Sequence, residues 1–222
     1  LKGEVVSSSY IDMTLKLMQE WGIDIEKKGN QLKVKEGNYL IQPDYKIEAD
    51  WSSAAFVYQF FALSKLETLF IKNLSLESVQ GDSMTSTLFE VFGVKTMETK
   101  EGIELTKVPC KNELIEVDMI DVPDLVPAFV VTAAALSIPM KITGVQTLKN
   151  KESDRLHALK AELAKFSVNV SYNHNQLILS SSFSFKEGVI IETYQDHRIA
   201  MAFAPLAIFG NVVIDDPVVV VK

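Results

Sequence analysis

Two short charged stretches hold the residues best suited to chemistry: Lys151-Glu152-Ser153-Asp154-Arg155 and Asp196-His197-Arg198. Between them they supply two arginines, a lysine, several carboxylates and a histidine, each group just ahead of or at the start of an apolar segment. LHALKAELAKF follows the first and IAMAFAPLAIF the second, and both read as helices. Cationic side chains beside free helix N–H groups make an anion trap, because the dipole and the charges act in the same direction. A carboxylate set among those cations stays ionised or moves a proton as its surroundings dictate. Taken alone, KESDR also reads as a solvated, charge-paired helix start. The second cluster and an internal repeat weigh against that plainer reading.

The elements that must position these residues recur along the chain. Three segments share a β-rich run, an aspartate and a long apolar helix: KIEAD-WSSAAFVYQFFALS around Asp50, VDMIDVPD-LVPAFVVTAAALS around Asp124, and IIETYQD-HRIAMAFAPLAIF around Asp196. The aspartates lie 74 and 72 residues apart. A second pattern joins an amphipathic helix, an aromatic residue, a small residue and two short strands. Its copies are marked by Trp21, Phe92 and Phe166, 71 and 74 residues apart. This period predicts an α/β chain of repeated βαβαββ units packed round a common core. The first helix of each unit is apolar nearly all round, which predicts burial on every side, and the stripe Met201, Phe203, Leu206, Phe209 is expected in the core.

Composition narrows the partners. With 222 residues, the chain has room for one large domain or one domain plus part of another. A net charge of −7 argues against general binding to nucleic acid or to a membrane surface, so an anionic ligand must be held by local cations. The single cysteine, Cys110, excludes an internal disulfide and fits a reducing, cytoplasmic compartment. His157, His174 and His197 have no zinc-like spacing, and no apolar run is long enough to span a bilayer. The chain opens on Leu1 and closes on a strand-like VVIDDPVVVVK, and is expected to be a fragment of a longer protein.

In chain order the candidates are Ser7-Ser8-Ser9-Tyr10, Asp50-Trp51-Ser52-Ser53-Ala54, Pro123-Asp124, Lys151 to Arg155, Asp196-His197-Arg198 and Lys222. This set resembles the 5-enolpyruvylshikimate-3-phosphate synthase family along essentially the whole chain, as that enzyme's C-terminal half. KESDR and DHRIAM in this order are the specific motifs, while SSSYIDMT resembles the family's S-x-P-Y-x-x-x-T element and ADWSSAAF its G-D-x-S-S-A element. The resemblance implies the enolpyruvyl transferase fold, a two-domain inside-out barrel. Residues 1–46 would end the domain on the shikimate-phosphate side, and residues 47–222 would form most of the second, truncated at its C-terminus. It also implies transfer of the enolpyruvyl group of phosphoenolpyruvate to the 5-hydroxyl of shikimate 3-phosphate, with release of phosphate and no cofactor or metal. A monomer is expected, and glyphosate is expected to occupy the phosphoenolpyruvate site.

Residue roles follow from the same resemblance. Asp124 would hold the attacking hydroxyl as a candidate base, with a helix N-cap as its competing role. Glu152 would handle the methylene proton, and Arg155 and Arg198 would grip the phosphoenolpyruvate carboxylate, since guanidinium forks suit planar carboxylates. Lys151, Ser7, Tyr10 and Thr147 would contact shikimate 3-phosphate, and Lys222 would stand near the leaving phosphate. Ser7 has an N-cap as its competing role. Asp50 with Ser52-Ser53 reads as a helix cap, Asp154 as a cap or partner of Arg155, and Asp196 with His197 as supports for Arg198. The chain departs from the family pattern at Ser9 (usually proline), Ala49 (usually glycine), Asn150 (often valine) and Thr147 (asparagine in some members). Two alternatives remain: a sister transferase acting on UDP-N-acetylglucosamine, and a folded half that is inactive alone because its other phosphate ligands lie elsewhere.

Overall fold

The structure, a computed structural model, describes residues 1–3, 5–41, 44–110, 113–180 and 182–221. Helix α1 (Ser8–Glu20) leads into a hairpin of β1 (Ile25–Lys28) and β2 (Gln31–Val34), which pair antiparallel and only with each other among the described residues. Trp21 ends α1 against the Tyr45 ring, with centroids 5.5 Å apart.

Helix α2 (Trp51–Leu63) begins at Asp50, whose carboxylate accepts the Ser52 N–H at 2.9 Å and the Ser53 hydroxyl at 2.5 Å, the expected cap. Its C-terminus is closed by Lys107, whose Nζ donates to the carbonyls of Phe61, Ala62 and Ser64 at 2.6, 2.8 and 3.1 Å. There follow β3 (Thr68–Lys72), α3 (Thr85–Leu88), β4 (Val94–Glu98) and β5 (Gly102–Lys107), with an antiparallel sheet of order β3-β5-β4. The β-rich run expected ahead of Asp50 forms no strand. A side-chain clip replaces the ladder there. Glu48 accepts the N–H of Val79 at 3.0 Å and Nε2 of Gln80 at 3.1 Å, and the same Nε2 donates to the Ala49 carbonyl at 2.8 Å.

The next unit is complete: β6 (Ile115–Asp118), α4 (Val126–Ala135), β7 (Met140–Thr143), α5 (Arg155–Ala164), β8 (Val170–Tyr172) and β9 (Gln176–Leu179). Its sheet runs β6-β7-β9-β8, with β6 and β7 parallel and the other pairs antiparallel, so the βαβαββ expectation holds strand for strand. A third unit supplies β10 (Val189–Ile191), α6 (His197–Phe203) and β11 (Val212–Ile214), with β10 and β11 parallel. The single long helix expected after Asp196 is divided. Pro205 has no N–H to continue the ladder, so α6 ends at Phe203 and the chain goes on as a 3-10 turn, Ala204–Ile208.

Helices α2, α4 and α6 pack on one another, and every residue of α4 except Ala135 is buried. Burial on all sides therefore holds for α4 but not for α2, where Val57 and Phe60 are 37% and 42% exposed. Phe203 and Leu206 are in the core as expected, but Met201 is only half-buried. Phe209 is 41% exposed, because it lies beyond the Pro205 break, on the rim against Phe183 and Phe185. Among the described residues no helix is long and apolar enough to cross a membrane.

Candidate active site

The repeat brings the starts of α2, α4 and α6 towards one another, and Asp124 stands at the centre of what collects there. It lies in the 3-10 turn Pro123–Leu125, where it caps no helix N–H. Both carboxylate oxygens point at cations instead. Oδ1 meets Arg155 Nη1 at 2.9 Å and Lys151 Nζ at 3.2 Å, and Oδ2 meets Arg198 Nη2 at 3.0 Å and accepts the Tyr10 hydroxyl at 3.0 Å. The competing N-cap role is thereby corrected. Burial pushes the Asp124 carboxyl up, but Arg198, Lys151 and Arg155 together outweigh it and hold the group at about 2.

Arg155, the first residue of α5, is wholly buried. Its Nε donates to Asp196 at 2.7 Å, Nη1 to Asp124 at 2.9 Å, and Nη2 to Glu152 at 2.6 Å. The guanidinium is thus a bracket among three carboxylates. Asp196 is equally buried; it caps α6 by accepting the Arg198 N–H at 2.9 Å and also accepts the Ser153 hydroxyl at 3.0 Å. Burial opposes its ionisation, yet Arg155 and these donors keep it below the usual carboxylate range. Its support of Arg198 therefore runs through the backbone, and its carboxylate belongs to Arg155. Asp154 caps α5 through the His157 N–H at 3.0 Å. Within the cluster the side chains of Glu152, Lys151, Asp124 and Arg198 are 41%, 24%, 16% and 12% exposed, against 1% for Arg155.

The N-terminus of α1 is pinned to the loop that carries Asp124. Ser7 is left-handed, with φ 55°, and its N–H donates to the Ile120 carbonyl at 3.0 Å; its hydroxyl caps nothing, which corrects its competing role. Ser8 donates through N–H and Oγ to Asp121 Oδ1 at 3.0 and 2.7 Å, and the Ser9 hydroxyl donates to the Asp121 carbonyl. These contacts deliver Tyr10 to Asp124 and set its ring 5.9 Å from Lys151 Nζ. Burial, with Asp82 and Asp124, drives the Tyr10 phenol above its ordinary value. Gly144 holds the same loop from below: with φ 76°, a Cβ there would meet the Ile120 nitrogen at 2.3 Å.

Of the motif residues, the structure brings together Tyr10, Asp124, Lys151, Glu152, Arg155 and Arg198. Thr147 sits in the 3-10 turn Gln146–Asn150, and its buried Oγ1 has no hydrogen-bond partner among the described residues. Lys222 lies outside the described residues. Sequence reasoning missed Asp121, Asp82 and Glu162. Glu162 is wholly buried and accepts the Tyr194 hydroxyl at 2.9 Å, which secures the turn Tyr194-Gln195, both left-handed, that feeds Asp196. Paired with Lys165 one helical turn on, it reads in the sequence as an ordinary surface charge. Among the described residues no group of His, Cys, Asp or Glu is arranged to hold a metal ion.

The fold defines the class. The chain superposes on an EPSP synthase of Acinetobacter baumannii with a TM-score of 0.72 at 20% identity, over 93% of this chain and 50% of that one. It also matches the enolpyruvyl transferase NikO of Streptomyces tendae, with a TM-score of 0.65 at 16% identity, over 93% and 48%. The architecture is an enolpyruvyl transferase fold. Sequence narrows the class to one family: the profile of EPSP synthase (3-phosphoshikimate 1-carboxyvinyltransferase) matches residues 1–222, and the chain belongs to that family. It is 41% identical to a 3-phosphoshikimate 1-carboxyvinyltransferase of Bacteroides fragilis over its whole length, and 33% identical to one of Aeromonas salmonicida over 98% of it. The chain spans about half the length of these relatives, 55% and 50%.

Proposed function

We propose that the protein carrying this chain transfers the enolpyruvyl group of phosphoenolpyruvate to the 5-hydroxyl of shikimate 3-phosphate and releases phosphate. The observation that carries the reading is the convergence of Lys151, Arg155 and Arg198 on one partly buried carboxylate, Asp124. Arg198 takes the phosphoenolpyruvate carboxylate. Arg155 joins the grip on the phosphoenolpyruvate carboxylate when Glu152, the most exposed partner, leaves its Nη2. Three cations here are offset by Asp124, Asp196 and Glu152, so two anionic substrates need cations beyond these three.

Asp124 is ionised at neutral pH and accepts the acceptor's hydroxyl hydrogen. At about 2 it is a weak base. An anion that neutralises Arg198 and Lys151 lifts that value and makes Asp124 a better one. As the hydroxyl oxygen bonds to the central carbon of phosphoenolpyruvate, its proton leaves towards Asp124, and Glu152, having taken a proton from solvent on leaving Arg155, gives that proton to the methylene carbon. Glu152 then recovers a proton from the new methyl group as the carbon–phosphate oxygen bond breaks. Ser7, Tyr10, Thr147 and Lys151 are assigned to shikimate 3-phosphate, and Lys222 to the leaving phosphate. Residues 1–46 belong to one domain and residues 47–222 to most of the other, in a monomer acting in the cytoplasm.

The test is acceptor choice by the full-length protein. Phosphate release from phosphoenolpyruvate with shikimate 3-phosphate, and none with UDP-N-acetylglucosamine, is expected. The reverse preference keeps the transfer chemistry and overturns the substrate.

A further inference from the structure

A buried acid outside the motif residues faces the same cluster. Asp82, in the 3-10 turn Gly81–Met84, is 5% exposed, and its Oδ1 has no hydrogen-bond partner among the described residues. An unpaired buried carboxylate oxygen is costly and calls for an explanation. Its surroundings offer one. Tyr10 faces it from α1, Asp50 and Ser52 from the start of α2, Asp124 from the turn ahead of α4, and Arg198 from α6. Gly81 keeps this junction open to α1, since a Cβ there would lie 2.3 Å from the Ser9 Cβ. Burial drives the Asp82 carboxyl up to about 6, with Asp124 adding to the rise and Arg198 and Ser52 opposing it.

We propose that Asp82 is a positioning residue for anion capture, which takes up a proton when an anionic substrate seats on Arg198 and so leaves that arginine to the substrate and to Asp124. The inference rests on the reading of Arg198 as an anion ligand and adds the coupling. An ionised Asp82 competes for Arg198 and repels an arriving anion. An anion on Arg198 offsets a cation that favours Asp82 ionisation. By reciprocity the proton and the anion then help each other to bind.

The experiment measures phosphoenolpyruvate dissociation from the full-length protein by calorimetry between pH 5.5 and 8.5, in the wild type and in Asp82→Asn. One linked proton raises Kd with pH by at most about tenfold per unit, starting near the free group's value and levelling off above the liganded one. Asp82→Asn is expected to lose this part of the slope, keep the part due to the ligand's own phosphate, and bind more tightly than wild type at pH 8. A merely structural role would raise Kd equally at every pH. A wild-type slope in Asp82→Asn overturns the inference alone. No binding to the wild type at any pH overturns the functional reading and the inference with it. The wild type also gives a test that needs no variant. Binding at pH 7 in buffers of different protonation enthalpy is expected to show proton uptake beyond the ligand's own exchange, and zero excess uptake overturns the proposal.

Discussion

At the scale of the residue, the site is a set of carboxylates that keep cations in place. Arg155 is wholly buried, and Asp196, equally buried, is its most buried partner, 2.7 Å from Nε. Removing one member of such a pair leaves an uncompensated charge, so Asp196→Ala is expected to destabilise the protein by about 3–5 kcal/mol in urea unfolding. A loss below about 1 kcal/mol would mean that water or Glu152 replaces it. Asp82 and Asp124 have opposite pH signatures. Asp124, depressed to about 2, lends stability that is present above the ordinary carboxylate value and is lost as pH falls towards about 2. Asp82, raised to about 6, holds its proton longer in the folded state, and that contribution is lost as pH rises from about 4 to about 6. Asp82→Asn is therefore expected to gain about 1–3 kcal/mol more, relative to wild type, at pH 8 than at pH 4. Urea titrations at the two pH values check this, and an equal effect at both would refute it.

At the scale of the element, α1 docks by its first turn. Asp121 receives both polar groups of Ser8, from 113 residues away in the chain. Asp121→Ala is expected to cost about 1–3 kcal/mol of local stability. Hydrogen exchange is the readout: faster exchange confined to α1 supports the pinning, and unchanged exchange there contradicts it. Gly81→Ala is expected to push α1 off the same junction, because its Cβ would collide with the body of Ser9 and not with a flexible tip. Most elements were legible in the sequence because burial imposes periodicity. The strand β9, whose buried residues alternate, is an example, and α4, buried on every side, is legible instead from its continuous apolar run. The misreadings have local causes: Pro205 stops a helix whose apolar pattern continues past it, and the Glu48 clip occupies the backbone of a run that reads as a strand.

At the scale of the whole molecule, the repeat of 74 and 72 residues explains why three aspartates distant in sequence stand just ahead of three helices that pack on one another. Asp50 and Asp196 remained caps, while the intervening Asp124 turned its carboxylate to Arg155, Lys151 and Arg198. The cationic motifs were legible from their residues, but Asp82, Asp121 and Glu162 were not. Each looks ordinary until distant segments close over it. The central claim is that Asp124 acts on the substrate and does not merely balance charge. The most direct measurement is phosphate release from phosphoenolpyruvate and shikimate 3-phosphate by the full-length protein carrying Asp124→Asn, with folding followed by circular dichroism. The account predicts a folded protein whose turnover falls by at least about a hundredfold. A folded protein with turnover near wild type would contradict it.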